Sequence, residues 1–293
     1  MHIVVPYPPS GNVDITARTL EPAFREALGQ PVVIDNRAGA GGIVGTAYAV
    51  KAPADGYTLL LGSSATVTAG PAAFKKLPYD PLKDLVPIGS IQSVPIVLTA
   101  ALKTPVTTFR DFMALAKAKP GGVSVASAGT GSSNHLAIEL LMHQANLRLL
   151  HVPYKGSGPA LTDLLGGQVD SMMDQLTASI GHIREGRIRA LAITSLRRSP
   201  LLPDVPTLDE AGVRGYEAGT FTGLFAPAGT PPAVVERLAA ALEKARADEG
   251  TRGRYLTLGV EMMDMSRAQF AAFVRADYEK WVKVAREANI SLE

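Results

Sequence analysis

Two short turns carry residue types suited to holding an anion. One reads Tyr7-Pro8-Pro9-Ser10-Gly11-Asn12-Val13-Asp14, the other Ser127-Ala128-Gly129-Thr130-Gly131-Ser132-Ser133-Asn134-His135. Each follows an apolar run and leads into a helical pattern. Glycine lets the backbone turn tightly and brings N–H groups near a ligand, and a helix N-terminus adds unpaired donors and partial positive charge. Such a turn attracts a carboxylate or a phosphate. Neither contains Arg or Lys, so the expected donors are backbone N–H groups and hydroxyls. The candidates are Tyr7, Ser10, Gly11, Asn12 and Asp14 in the first turn, and Ser127, Gly129, Thr130, Gly131, Ser132 and Ser133 in the second. Backbone N–H groups of Ser127–Ser133 are expected to face the anion, with Gly131 bare so that it can approach closely. Either turn taken alone also fits an ordinary helix cap; their placement, one in each half of the proposed organisation below, favours an anion held from both sides.

A third turn, Gly62-Ser63-Ser64-Ala65-Thr66, adds Ser63, Ser64 and Thr66, and a fourth runs Tyr154-Lys155-Gly156-Ser157-Gly158-Pro159. Asp174 ends a strand at Met172-Met173-Asp174-Gln175, where it suits a ligand ammonium or hydroxyl, or the cap of a helix from Thr177.

Other chemistries find little support. No turn has a dinucleotide fingerprint or a Walker A loop, and Gly156-Ser157-Gly158 lacks the five-residue frame of a nucleophile elbow. The five histidines (His2, His135, His143, His151, His182) do not pair at the spacing of a helix-borne zinc site, and His135 reads as structural. There is no cysteine, hence no disulfide, thiolate nucleophile or thiolate metal ligand. With 29 basic and 27 acidic side chains the net charge is +2, which disfavours a nucleic-acid surface. No apolar run approaches the ~18 residues of a membrane span.

Several elements must position these turns. Strand-like runs at Ile3–Pro6, Val32–Asn36, Thr58–Gly62, Val86–Ile91, Ile96–Thr99, Val123–Ala128, Leu150–Pro153, Val169–Asp174, Ala190–Thr194 and Phe221–Ala226 alternate with helical patterns. Val13, Ala17, Leu20, Phe24 and Leu28 form one helical face; Phe109, Phe112, Met113 and Ala116 form another. The alternation predicts crossover connections and mostly parallel sheets. From Pro231 the pattern is helical. Ser266 and Gln269 have capping-box spacing ahead of a core stripe of Phe270, Phe273, Val274, Tyr278, Trp281 and Val282. This order predicts an interrupted first domain, 1–98 plus 223–293, around a second at 99–222, with a hinge at the two crossovers.

In ordered blocks along its whole length the chain resembles the Bug family, extracytoplasmic receptors of tripartite tricarboxylate transporters. The blocks include Val5–Gly11 with Asp14 and Ala17-Arg18, Val33–Gly42, Asp55–Leu60, Leu77–Pro81, His151–Gly156, Leu164–Asp170, Leu202–Thr207 and Ala226–Pro232. The resemblance implies an α/β, type II periplasmic-binding-protein fold, two lobes with a ligand cleft and hinge between them. It implies that Tyr7 to Asp14 and Ser127 to Ser133 hold the proximal carboxylate of a small organic acid, partly through ordered water. Ser10 departs from the pattern, standing where a glycine is common.

The resulting expectation is a non-enzymatic solute receptor for a di- or aromatic carboxylate. It would be a monomer working with membrane transporter subunits, without cofactor, metal or membrane insertion. Its place is the periplasm, an export signal having been removed. A ligand sensor for a signalling partner, or an α/β enzyme acting on a carboxylated or phosphorylated metabolite, are the alternatives.

Overall fold

The computed structural model describes residues 1–258, 260–287 and 290–291. Its strands are β1 (His2–Val5), β2 (Val33–Asn36), β3 (Thr58–Ser63), β4 (Leu85–Ala101), β5 (Ser124–Ser127), β6 (Leu150–Pro153), β7 (Ser171–Gln175), β8 (Ile188–Ile193), β9 (Gly219–Pro227) and β10 (Glu261–Met262). The helices are α1 (Asn12–Leu28), α2 (Ile43–Val50), α3 (Ser64–Val67), α4 (Ala69–Ala73), α5 (Phe109–Ala118), α6 (Ser133–Gln144), α7 (Ser157–Gly166), α8 (Leu176–Arg184), α9 (Pro232–Ala247), α10 (Glu249–Thr257) and α11 (Arg267–Glu287). The chain divides into two compact units, Met1–Ser93 with Phe221–Glu293, and Val94–Thr220.

In the first unit β1 lies between β2 and β3, parallel to both, and the first candidate turn leaves its carboxyl end. The α1 face expected from its spacing is buried: Val13, Ala17, Leu20, Phe24 and Leu28. Phe221, Phe225 and Phe270 share a core with Val4, Leu60 and Val274. The Phe270 ring centroid lies 5.8 Å from that of Phe221 and 5.5 Å from that of Phe225. Removing such a ring typically costs ~3–5 kcal/mol. The capping box forms as spaced: the Ser266 N–H donates to Gln269 Oε1 and the Gln269 N–H to Ser266 Oγ. One member of the expected stripe does not join the core, for Val282 is 42% exposed.

In the second unit β5 lies between β6 and β7, again parallel, and the second candidate turn leaves its carboxyl end. Ala126, Leu164, Met172 and Ile188 form its core. Thr108 caps α5, accepting the Asp111 N–H, while Phe109, Phe112 and Ala116 face inward.

The sheets are more mixed than the alternation predicts. β3 pairs antiparallel with β9, and β4 pairs antiparallel with β7, β8 and β10. The reason lies in β4 and β9, within which the chain passes between units. β9 follows β8 without an intervening helix, the usual connection between parallel strands. Two expected strands, Val86–Ile91 and Ile96–Thr99, are thus one continuous β4.

Candidate functional site

The first turn is organised by Asp14. Helix α1 begins at Asn12 with Gly11 as its N-cap, so Asn12 and Asp14 sit in the first helical turn rather than capping it. The Asp14 side chain, 2% exposed, reaches back along the chain. Oδ2 accepts the Ser10 N–H at 2.9 Å and the Arg18 Nε–H at 2.9 Å, and Oδ1 accepts from Asn36 Nδ2 at 2.9 Å. Asn36 Nδ2 also donates to the Tyr7 carbonyl at 3.1 Å. Burial alone would raise the Asp14 carboxyl, but these donors outweigh it and hold the group below the ordinary carboxylate range. Ser10 lies in the left-handed region at φ 69°, a conformation costly for a side-chain-bearing residue. Its N–H bond to Asp14 helps to hold it there.

Tyr7 carries the turn to its neighbour. The Tyr7 hydroxyl and Ser63 Oγ are 2.9 Å apart, and burial pushes the phenol up to about 12, so it stays neutral. The other hydroxyls of the Ser63–Thr66 segment are engaged in holding the chain. Ser64 Oγ accepts the Phe221 N–H at 3.0 Å, and Thr66 Oγ1 accepts the Ser63 N–H at 3.0 Å. Behind α1, Gln92 Nε2 donates to Thr16 Oγ1 at 2.5 Å and to Asn12 Oδ1 at 3.2 Å. The first-turn N–H groups of α1 have no acceptor within the helix.

The second turn is braced by two histidines. Ser127 Oγ, fully buried, accepts the Gly129 N–H at 3.1 Å and lies 2.6 Å from His151 Nε2. The Ser132 N–H closes a tight turn onto the Gly129 carbonyl at 3.1 Å, Ser132 Oγ donates to the same carbonyl at 2.6 Å, and that hydroxyl caps α6 by accepting the His135 N–H. That tight turn directs the Gly131 N–H onto His135 Nδ1 at 3.1 Å. His135, in the first turn of α6, thus accepts the hydrogen bond of the Gly131 N–H. The His135 ring stacks on His151 with centroids 4.0 Å apart. Burial, with His135 beside it, lowers His151 to about 4, so it is neutral at ordinary pH. Thr130 is exposed at the tip and Ser133 is buried, its Oγ 3.5 Å from Thr220 Oγ1.

Asp174 is fully buried next to the end of β7. Its Oδ1 accepts from Asn134 Nδ2 at 3.0 Å and Ser157 Oγ at 2.7 Å, and its Oδ2 from Ser179 Oγ at 3.4 Å. It does not cap the following helix, for the N-cap of α8 is Gln175. Burial outweighs these donors and pushes the carboxyl up to about 6.

Asn36, Gln92, Asn134, His151 and Ser157 are among the polar residues around the turns that do not appear among the site candidates of the sequence. Asn134 belongs to the second turn itself, one residue before His135; an amide at the start of a helix after two glycines was the available signal. Among the described residues no group of three His, Cys, Asp or Glu side chains could hold a metal ion. None of the described helices is long and apolar enough to cross a membrane.

Known proteins with this organisation point one way. Residues 16–290 match the model of the tripartite tricarboxylate transporter family receptor, TctC. Protein BugT of Bordetella pertussis (strain Tohama I) is 38% identical over 100% of this chain and 90% of its own. The periplasmic binding protein BugD is 35% identical, with a TM-score of 0.93 over 100% of this chain and 98% of that one. An R. palustris structure with adipate is 34% identical, with a TM-score of 0.94 over 99% and 97% of the two chains. MatC of Rhodopseudomonas palustris with bound malate is 35% identical, with a TM-score of 0.91 over 97% and 98%.

Proposed function

Given that the chain belongs to the TctC family, the receptors of tripartite tricarboxylate transporters, we propose that it captures a small organic carboxylate in the periplasm and presents it to membrane subunits of such a transporter. In this reading it acts as a monomer and leaves its ligand chemically unchanged. The observation that carries the reading is a repeated construction. In each unit a parallel strand ends in a turn without Arg or Lys, and the turn opens a long helix, α1 or α6. Open sheets bind ligands beyond the carboxyl ends of their strands, and helix N-termini favour anions there. The adipate and malate of two similar structures support the carboxylate class.

The first turn would offer the N–H groups that open α1, steadied by Asp14. The second would offer those that open α6, steadied by His135. Tyr7, Ser10 and Ser63 would shape the approach to the first turn, and Thr130 that to the second. A thermal-shift screen of mono-, di- and aromatic carboxylates tests this. A ligand at 100 times its Kd stabilises a protein by about 2.7 kcal/mol, readily seen as a rise in Tm. Stabilisation with full recovery of the ligand supports capture. Conversion of the ligand would favour an enzyme, and no stabilisation by any carboxylate would remove the reading.

A further inference from the structure

One buried acceptor of the second unit has no partner. Asn134 is fully buried in the first turn of α6, and its Oδ1 accepts no hydrogen bond. The orientation of this amide follows from its other end. Nδ2 donates to Asp174 Oδ1 at 3.0 Å, and an ionised carboxylate only accepts, so the oxygen is the end left over. Ser157 Oγ occupies the same carboxylate oxygen at 2.7 Å, which fixes Asp174 and through it the amide. A buried acceptor without a donor is costly enough that a native protein normally supplies one.

The place of this orphan tells what that donor is. Asn134 starts α6 and Asp174 lies next to the end of β7, so their bond spans the carboxyl edge of the parallel pair β5 and β7. Ligands bind at that edge, and the first-turn N–H groups of α6 favour an anion there. Carboxylate donors and an unpaired amide oxygen thus stand in one helical turn. A ligand that satisfies both carries its carboxylate next to an O–H or N–H.

Resting on the carboxylate reading above, we propose that Asn134 selects organic acids bearing a hydroxyl or amino group beside the carboxylate, by accepting that donor at its Oδ1. Simple alkanoates and unsubstituted dicarboxylates leave the oxygen unpaired and bind more weakly. Asn134 is then a specificity-determining residue, with Asp174 and Ser157 positioning it.

Matched acids provide the test: succinate against malate, propionate against lactate, and phenylacetate against mandelate, titrated calorimetrically into the protein. In the framework that fits the pocket, the hydroxylated member should bind at least about tenfold tighter, as expected for a site built to receive a hydroxyl. Methoxysuccinate, which keeps the oxygen but lacks the O–H, should bind no better than succinate. In Asn134→Leu the preference within the fitting pair should fall to about threefold or less. The ligand series on the unaltered protein decides the matter even where that variant fails to fold. Equal binding within every pair, or a preference retained in Asn134→Leu, overturns the proposal and leaves the carboxylate reading standing. Binding of no acid in the series overturns both.

Discussion

The N–H of Gly131 donates to Nδ1 of His135, 3.1 Å away and four residues on. Only an unprotonated Nδ1 can accept this bond. The opposite ring nitrogen, Nε2, lies 3.3 Å from Glu139 Oε1, which favours the tautomer with its proton at Nε2. A side chain read as structural therefore sets the shape of the second turn. Replacing it with Leu leaves the Gly131 N–H without its partner. In His135→Leu we expect ligand affinity to fall about tenfold or more, with a stability loss of ~1–3 kcal/mol. Calorimetry and urea denaturation separate the two; unchanged affinity would show that the turn holds its form without the ring.

Buried Asp174 and half-buried His151 pull stability in opposite directions as pH falls. The folded His151 sits at about 4 against 6.5 for the free side chain, so the unfolded chain takes up protons first. Its stabilising contribution is present above 6.5 and is lost between 6.5 and 4. The folded Asp174 sits at about 6 against 3.8, so its contribution is present below 3.8 and is lost as pH rises through 6. The wild-type melting temperature should vary little between pH 6.5 and 4. In Asp174→Asn the opposing term is gone, and stability should fall on acidification by ~1–2 kcal/mol, a figure that allows for solvent screening at the half-buried His151. In His151→Gln the slope should reverse. Thermal melts of the three proteins across that window check this, and parallel curves would sink it.

Ser10 presents a different trade. At φ 69° it adopts a backbone form that costs most residues ~1–2 kcal/mol, and glycine nothing. Glycine in turn loses more freedom on folding, ~0.5–1 kcal/mol. Ser10→Gly should thus be neutral or stabilising by up to ~1 kcal/mol in urea denaturation. If instead it destabilises, the Ser10 hydroxyl contributes more than the strain removes. A change in ligand preference without loss of stability would mark that hydroxyl as part of the pocket.

Much of this was legible in the residues, for definite reasons. The α1 face shows because five apolar residues repeat at helical spacing, and the α11 start shows because Ser266 and Gln269 are a reciprocal pair. The turns show because glycine, proline and hydroxyl residues cluster after strands. Asn12, Asp14 and Ser133 have the residue types of caps but lie inside the first turns of α1 and α6, because the preceding Gly11 and Ser132 take the cap positions. The helical reading from Pro231 covers α9 and α10, although Gly250 and Gly253 weaken the pattern of α10. What no periodicity could reveal are partners distant in the chain. Asn36 reaching Asp14, His151 bracing Ser127 and Ser157 reaching Asp174 depend on which strand lies beside which.

Asp14 is the residue on which the first turn depends. Its carboxylate takes donors from three places: the Ser10 backbone before the helix, Arg18 one turn along it, and Asn36 at the end of β2. In Asp14→Asn one oxygen becomes an N–H that must face one of those donors, and the charge that strengthens the rest is lost. Hydrogen bonds to a charged group are worth ~1.5–3 kcal/mol each, so a loss of ~2–4 kcal/mol in urea denaturation is expected. Affinity should fall with it, because Ser10 and the start of α1 are no longer held. Arg18 provides the contrast. Its side chain is 54% exposed, so Arg18→Met should cost no more than ~1 kcal/mol, as exposed ion pairs do. If both substitutions cost the same small amount, Asp14 is one half of a surface salt bridge and the turn is held by something else. If Asp14→Asn costs several times more and weakens binding, the buried carboxylate is what gives the first turn its form.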